Sequence, residues 1–92
     1  MEVKLTIEGT KGTLFNIWTF AIAEVGGAKY DIQMVRFDNP SKYGIRGGRI
    51  SKLWARGGER RDVCMDYDRG WSLRPKTSEA RAVLAEILKQ YN

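Results

Sequence analysis

Along residues 2–9 the apolar positions Val3, Leu5 and Ile7 alternate with Glu2, Lys4, Thr6 and Glu8. A period of two is the pattern of a half-buried antiparallel strand. The following "GTKG" (9–12) reads as a turn. Residues 13–25, "TLFNIWTFAIAEV", carry two readings. Leu14, Ile17, Trp18, Ala21, Ile22 and Val25 have helical spacing, and Gly26-Gly27 would suit a helix C-terminus. Yet the segment is apolar on nearly every side and rich in aromatic and β-branched residues, which suits a buried strand. "VGGAK" also reads as a tight hairpin turn into "YDIQMVRFD". The strand–turn–strand reading is preferred; the helix would give a βαβ start.

In "YDIQMVRFD" the apolar phase runs Tyr30, Ile32, Met34 and then shifts to Val35 and Phe37, which predicts a bulge near Met34. A loop at "DNPSKYG" follows, because the position before Pro40 disfavours helix. "RISKLWA" (49–55) and "RDVCMDYD" (61–68) are two more strand candidates, joined by a turn at Gly57-Gly58. In the first, Arg49, Ser51, Leu53 and Ala55 share one face and Ile50, Lys52 and Trp54 the other. In the second, Val63, Met65 and Tyr67 oppose Cys64, Asp66 and Asp68. After Thr77, Ala80, Val83, Leu84, Ile87, Leu88 and Tyr91 form one apolar stripe at helical spacing. Thr77 or Ser78 is placed to cap that helix, with Glu79 near its positive end and Lys89 near its negative end. The pattern therefore predicts an α+β fold. It is a twisted antiparallel sheet of four to five strands with one C-terminal α-helix packed on one face.

Composition narrows the picture further. Ninety-two residues make a single domain spanning 1–92 with one modest core. There is no histidine and one cysteine, Cys64. That removes imidazole-based catalysis, most transition-metal sites and any intramolecular disulfide. Cys64 reads as a small buried side chain of a reducing compartment. The N-terminus is not a signal peptide, and no apolar run approaches the length of a membrane span, so a cytoplasmic protein without membrane attachment is expected. No catalytic, cofactor-binding or metal-binding motif is recognisable. Asp66 and Asp68 point to one strand face, but they read as partners for Arg60, Arg61 and Arg69 rather than as metal ligands.

Charge is distributed unevenly. The net charge is +5, but residues 41–61 alone carry +6 and the remainder −1. A near-neutral domain with one basic insert suggests an acidic partner. Within the insert, Gly44, Gly47 and Gly48 could expose backbone N–H groups as an anion cradle, although their spacing is neither a P-loop nor a dinucleotide fingerprint. A bulged turn needing positive φ at two positions is the preferred account of these glycines.

The stretch "FDNPSKYGIRGGRISKL" (37–53), followed by "YDRGW" (67–71), resembles a family of small uncharacterised proteins of Firmicutes and their bacteriophages. Its pattern is F-D-x-x-S-x-[YF]-G-I-x-G-G-R-I-S-K-L, then Y-x-R-G-W and a terminal helix. The resemblance covers about residues 30 to 91. It implies a small accessory protein encoded by a phage or prophage, and it carries over no activity, cofactor or site.

The functional expectation is a non-enzymatic binding protein that engages an anionic ligand, nucleic acid or nucleotide, through a basic hairpin at 42–61. Lys42, Arg46, Arg49, Lys52, Arg56, Arg60 and Arg61 would neutralise phosphate, with Tyr43 or Trp54 as a stacking platform. Two alternatives remain open. One is a protein–protein inhibitor acting on a host protein, such as an anti-CRISPR-like inhibitor of a bacterial defence system. The other is a small self-associating structural protein, with a homodimer among its forms.

Overall fold

The computed structural model describes all 92 residues. Six strands are followed by one helix: β1 (Lys4–Gly12), β2 (Ile17–Val25), β3 (Ala28–Arg36), β4 (Ile50–Gly57), β5 (Asp62–Asp68), β6 (Trp71–Leu73) and α1 (Ser78–Tyr91). A single 3-10 turn at Ile45–Gly47 lies between β3 and β4. Every strand pairs antiparallel with its sequence neighbour, in the order β1-β2-β3-β4-β5-β6. The fold class is α+β as expected, but the sheet has six strands rather than four to five. The extra strand is the three-residue β6, too short to show an alternation in sequence.

Residues 13–25 resolve toward the strand reading. Gly26 and Gly27 both adopt positive φ, 54° and 83°, in the two-residue turn between β2 and β3. That turn geometry matches the twist of the strands it joins. The first turn, however, is displaced. β1 runs on through "GTKG", and the chain reverses at Thr13–Asn16, where the Thr13 N–H donates to the Asn16 carbonyl at 2.7 Å. The two apolar residues Leu14 and Phe15 therefore occupy the tip, at 89% and 86% exposure.

One face of the sheet is covered by α1. Ala21, Ala23, Ile32, Met34, Leu53 and Met65 point toward Val83, Leu84 and Ile87 of the helix in one continuous core. The helix begins where expected, with the Thr77 hydroxyl oxygen accepting from the Ala80 N–H at 3.0 Å. Its far end is tied to the loop before β4. The Asn92 side chain accepts from the Ile50 N–H and donates to the Ile45 carbonyl, while its backbone carbonyl accepts from the Arg49 N–H.

Register departs from simple alternation at four places, one in each pairing except that of β2 with β3. Val35 pairs with Lys52 and Arg36 with Ile50, so Ser51 is the inserted residue. The expected bulge thus lies one residue past Met34 and on the facing strand. Ser51 is buried, its hydroxyl donating to the Val35 carbonyl at 3.2 Å. Because of the insertion, Ile50 is fully buried in the core instead of sharing a face with Lys52 and Trp54. Similarly, Ala55 pairs with Met65 and Arg56 with Val63. The insertion turns Cys64 toward the core edge, away from Asp66 and Asp68, and leaves Val63 exposed.

Candidate functional site

The nine residues singled out in the basic segment do not form one surface. Lys42, Tyr43, Arg46 and Arg49 precede β4, Lys52, Trp54 and Arg56 lie on the uncovered face of β4, and Arg60 and Arg61 follow it. The eight-residue strand separates the first group from the last by more than about 20 Å. Most of the basic groups along and beyond β4 are already neutralised. Lys52 binds Asp68 at 2.8 Å, Arg61 and Arg56 share Asp31 at 2.9 and 3.6 Å, and Arg60 faces Asp62 at 3.9 Å. Trp54 lies near Trp18 and Gln33 on the uncovered face, with Arg56 stacked over its ring at 5.9 Å. Asp66 and Asp68 share that face, and no third metal-ligating group joins them.

The glycine cradle is also spent internally. The N–H groups of Gly44, Gly47 and Gly48 donate to the carbonyls of Ser41, Gly44 and Ile45 at 2.9, 3.0 and 2.9 Å. Only Gly47 has positive φ; Gly44 and Gly48 are required by close approach. A Cβ on Gly48 would fall 2.3 Å from the Asn92 side-chain nitrogen.

Uncompensated positive charge gathers instead on the helix side, at the β6 end of the sheet. A cleft of about 620 Å³ opens there between the 3-10 turn, β6 and α1. Ile45, Tyr67, Trp71, Leu84 and Leu88 supply its apolar and aromatic lining, and Arg46, Arg74 and Arg81 its charge. No carboxylate lines it, and none of the three guanidinium groups makes an ion pair or a side-chain hydrogen bond within the chain. That contrasts with the neutralised cations of β4. Arg74 lies 5.4 Å from the Trp71 ring centroid, and Trp71 meets Tyr67 edge-to-face at 5.1 Å.

The chain holds these groups in place by local means. The Tyr67 hydroxyl donates to the Tyr43 carbonyl at 3.0 Å, pinning the loop that carries Arg46. Arg46 itself adopts a left-handed conformation, φ 52° and ψ 33°. A non-glycine residue there costs about 1–2 kcal/mol. Arg69, beside the cleft residue Gly70, has φ 60°. Arg81 stands on the exposed side of α1 one turn past Thr77, where no acidic residue lies three or four positions away.

Of the nine expected residues, only Arg46 belongs to this cleft. Trp71, Arg74 and Arg81 were not singled out from sequence. Their signal was a local excess of Arg69, Arg74, Lys76 and Arg81 over Glu79, hidden within a remainder of net charge −1.

A larger hollow near the β2–β3 turn has a different character. Tyr30 donates to Glu79 at 2.5 Å, and burial and this hydrogen bond both push its phenol well above the ordinary value. Cys64 lines the same hollow, its thiol also pushed up by burial and directed at the Ala55 carbonyl. A thiol held protonated is a poor nucleophile. The hollow also carries both signs of charge, from Lys29, Arg60 and Arg61 to Glu59, Asp62 and Glu79.

No helix of the protein is long and apolar enough to cross a membrane. No curated protein and no solved structure matches the chain. A family model described as a domain of unknown function (DUF7678) matches residues 17–92. The match spans β2 through α1, beginning ahead of residue 30, where the motif resemblance starts, and leaving β1 outside. On that match the chain belongs to the DUF7678 family.

Proposed function

We propose that the protein is a non-enzymatic binding module for a phosphate-bearing ligand of nucleotide size. The observation that carries this reading is the convergence of Arg46, Arg74 and Arg81, all unpaired, on a cleft lined by Trp71 and apolar side chains. Guanidinium groups give phosphate charge-assisted, bidentate hydrogen bonds, and an indole offers a face for a planar base. A cleft of about 620 Å³ suits one mononucleotide rather than a length of polymer. The anionic ligand expected from composition is retained, but its site moves from the 42–61 hairpin to this cleft.

Calorimetric titration tests the reading with a nucleoside triphosphate, the matching nucleoside, inorganic phosphate and a short single-stranded oligonucleotide. The triphosphate is expected to bind more tightly than the nucleoside or phosphate alone, with affinity that falls as salt rises. Arg74→Ala and Arg81→Ala should each weaken binding about tenfold or more, since a charge-assisted hydrogen bond contributes roughly 1.5–3 kcal/mol. Absence of binding by all four ligands, or unchanged affinity in the double variant, overturns the reading.

A further inference from the structure

The edge of the sheet farthest from the cleft points to an interface. β1 pairs only with β2, so its other side presents unpaired backbone groups along nine residues. Exposed edges of this kind recruit another strand unless something blocks them. The pattern of side chains on β1 suits one partner in particular. Lys4, Thr6 and Glu8 project to the uncovered face, while Leu5 and Ile7 project to the helix side. Leu5 is half-buried and Ile7 is 41% exposed, since α1 does not reach across to the edge. Neither Lys4 nor Glu8 has an ion-pair partner within the chain.

We propose that β1 pairs antiparallel with β1 of a second copy, about a two-fold axis at Thr6. In that register Lys4 faces Glu8 of the other copy, Leu5 faces its Ile7, and Thr6 faces Thr6. The two-fold axis repeats each pairing, so two opposite-charge pairs form on one face and two apolar pairs on the other. Opposite charges and apolar residues directly across an antiparallel ladder stabilise it, and like charges weaken it. Sliding the register toward the N-terminus sets Glu2 against Glu8. Sliding it the other way sets Glu8 against Thr6 and Lys4 against Thr10, losing both charge pairs. The bulge between Ile7 and Gly9 falls at the end of the paired segment and limits its extent. The product is a two-fold dimer with a continuous twelve-stranded sheet and both helices on one side. An interface this small makes a weak, concentration-dependent dimer.

Sedimentation equilibrium over about a hundredfold concentration range tests the proposal on the whole chain. The wild type is expected to dimerise. Lys4→Glu alone and Glu8→Lys alone each turn two attractive pairs into two repulsive ones and should weaken dimerisation about tenfold or more. Mixing the two single variants should restore a heterodimer, and the double exchange should restore the homodimer. Circular dichroism confirms that each variant is folded. A wild type that stays monomeric across the range overturns the proposal. So do single variants that dimerise as well as the wild type, or a mixture that fails to recover association. Because β1 lies outside the cleft, nucleotide binding is read separately and neither outcome decides the other.

Discussion

Two residues carry consequences that the rest of the fold does not share. Arg46 holds a left-handed backbone where glycine would be unstrained, yet the side chain it presents lines the cleft. Arg46→Gly should therefore move stability and binding in opposite directions. Relief of about 1 kcal/mol raises Tm by roughly 4–8 °C, while loss of the guanidinium weakens triphosphate binding about tenfold. Thermal melts and titration on the same preparation check both. Tyr30 is the second residue. Its phenol ionises above its ordinary value of 10.0 because burial and the Glu79 hydrogen bond favour the neutral form. The stabilisation is complete below about pH 10 and is lost as pH rises further, toward the folded-state value. Tyr30→Phe should lower stability by about 1–2 kcal/mol at neutral pH and flatten the decline on the alkaline side. Denaturant unfolding at pH 7 and above 10 reads both effects.

The strands differ in how firmly they are held. β3 and β4 are central, paired on both sides and covered by α1, whereas β1 is paired on one side with nearly all its residues exposed. In dilute solution, where the dimer is dissociated, β1 amides should exchange with solvent orders of magnitude faster than those of β3 and β4. Amide exchange followed by NMR or mass spectrometry checks this. Legibility in sequence followed the same physics. α1 is readable because a cap at Thr77 or Ser78 and a full apolar stripe mark it, and the Gly26-Gly27 turn resolves the 13–25 ambiguity in favour of strands. What failed were details that depend on a neighbour. The bulges at Ser51 and Cys64 moved Ile50 and Cys64 to faces that simple alternation does not allow. The first turn escaped because Leu14 and Phe15 look like core residues and stand at an exposed tip.

Across the whole molecule, counting charge by stretch of sequence does not tell which cations the fold leaves unpaired. The segment 41–61 carries +6, yet β3 and β5 bring Asp31 and Asp68 against it and cancel much of that charge. The cleft gathers one arginine from a loop, one from beyond β6 and one from α1, which no linear window holds together. The strand order has a further consequence, for synthesis. Since each strand pairs with the one made just before it, the sheet can assemble hairpin by hairpin as the chain emerges. The helix that covers its apolar face, and the Asn92 contacts that seat it, come after all six strands. The nascent sheet must therefore keep Ile32, Met34, Leu53 and Met65 open to water until α1 arrives, which makes the interval before the helix docks the chain's most adhesive state.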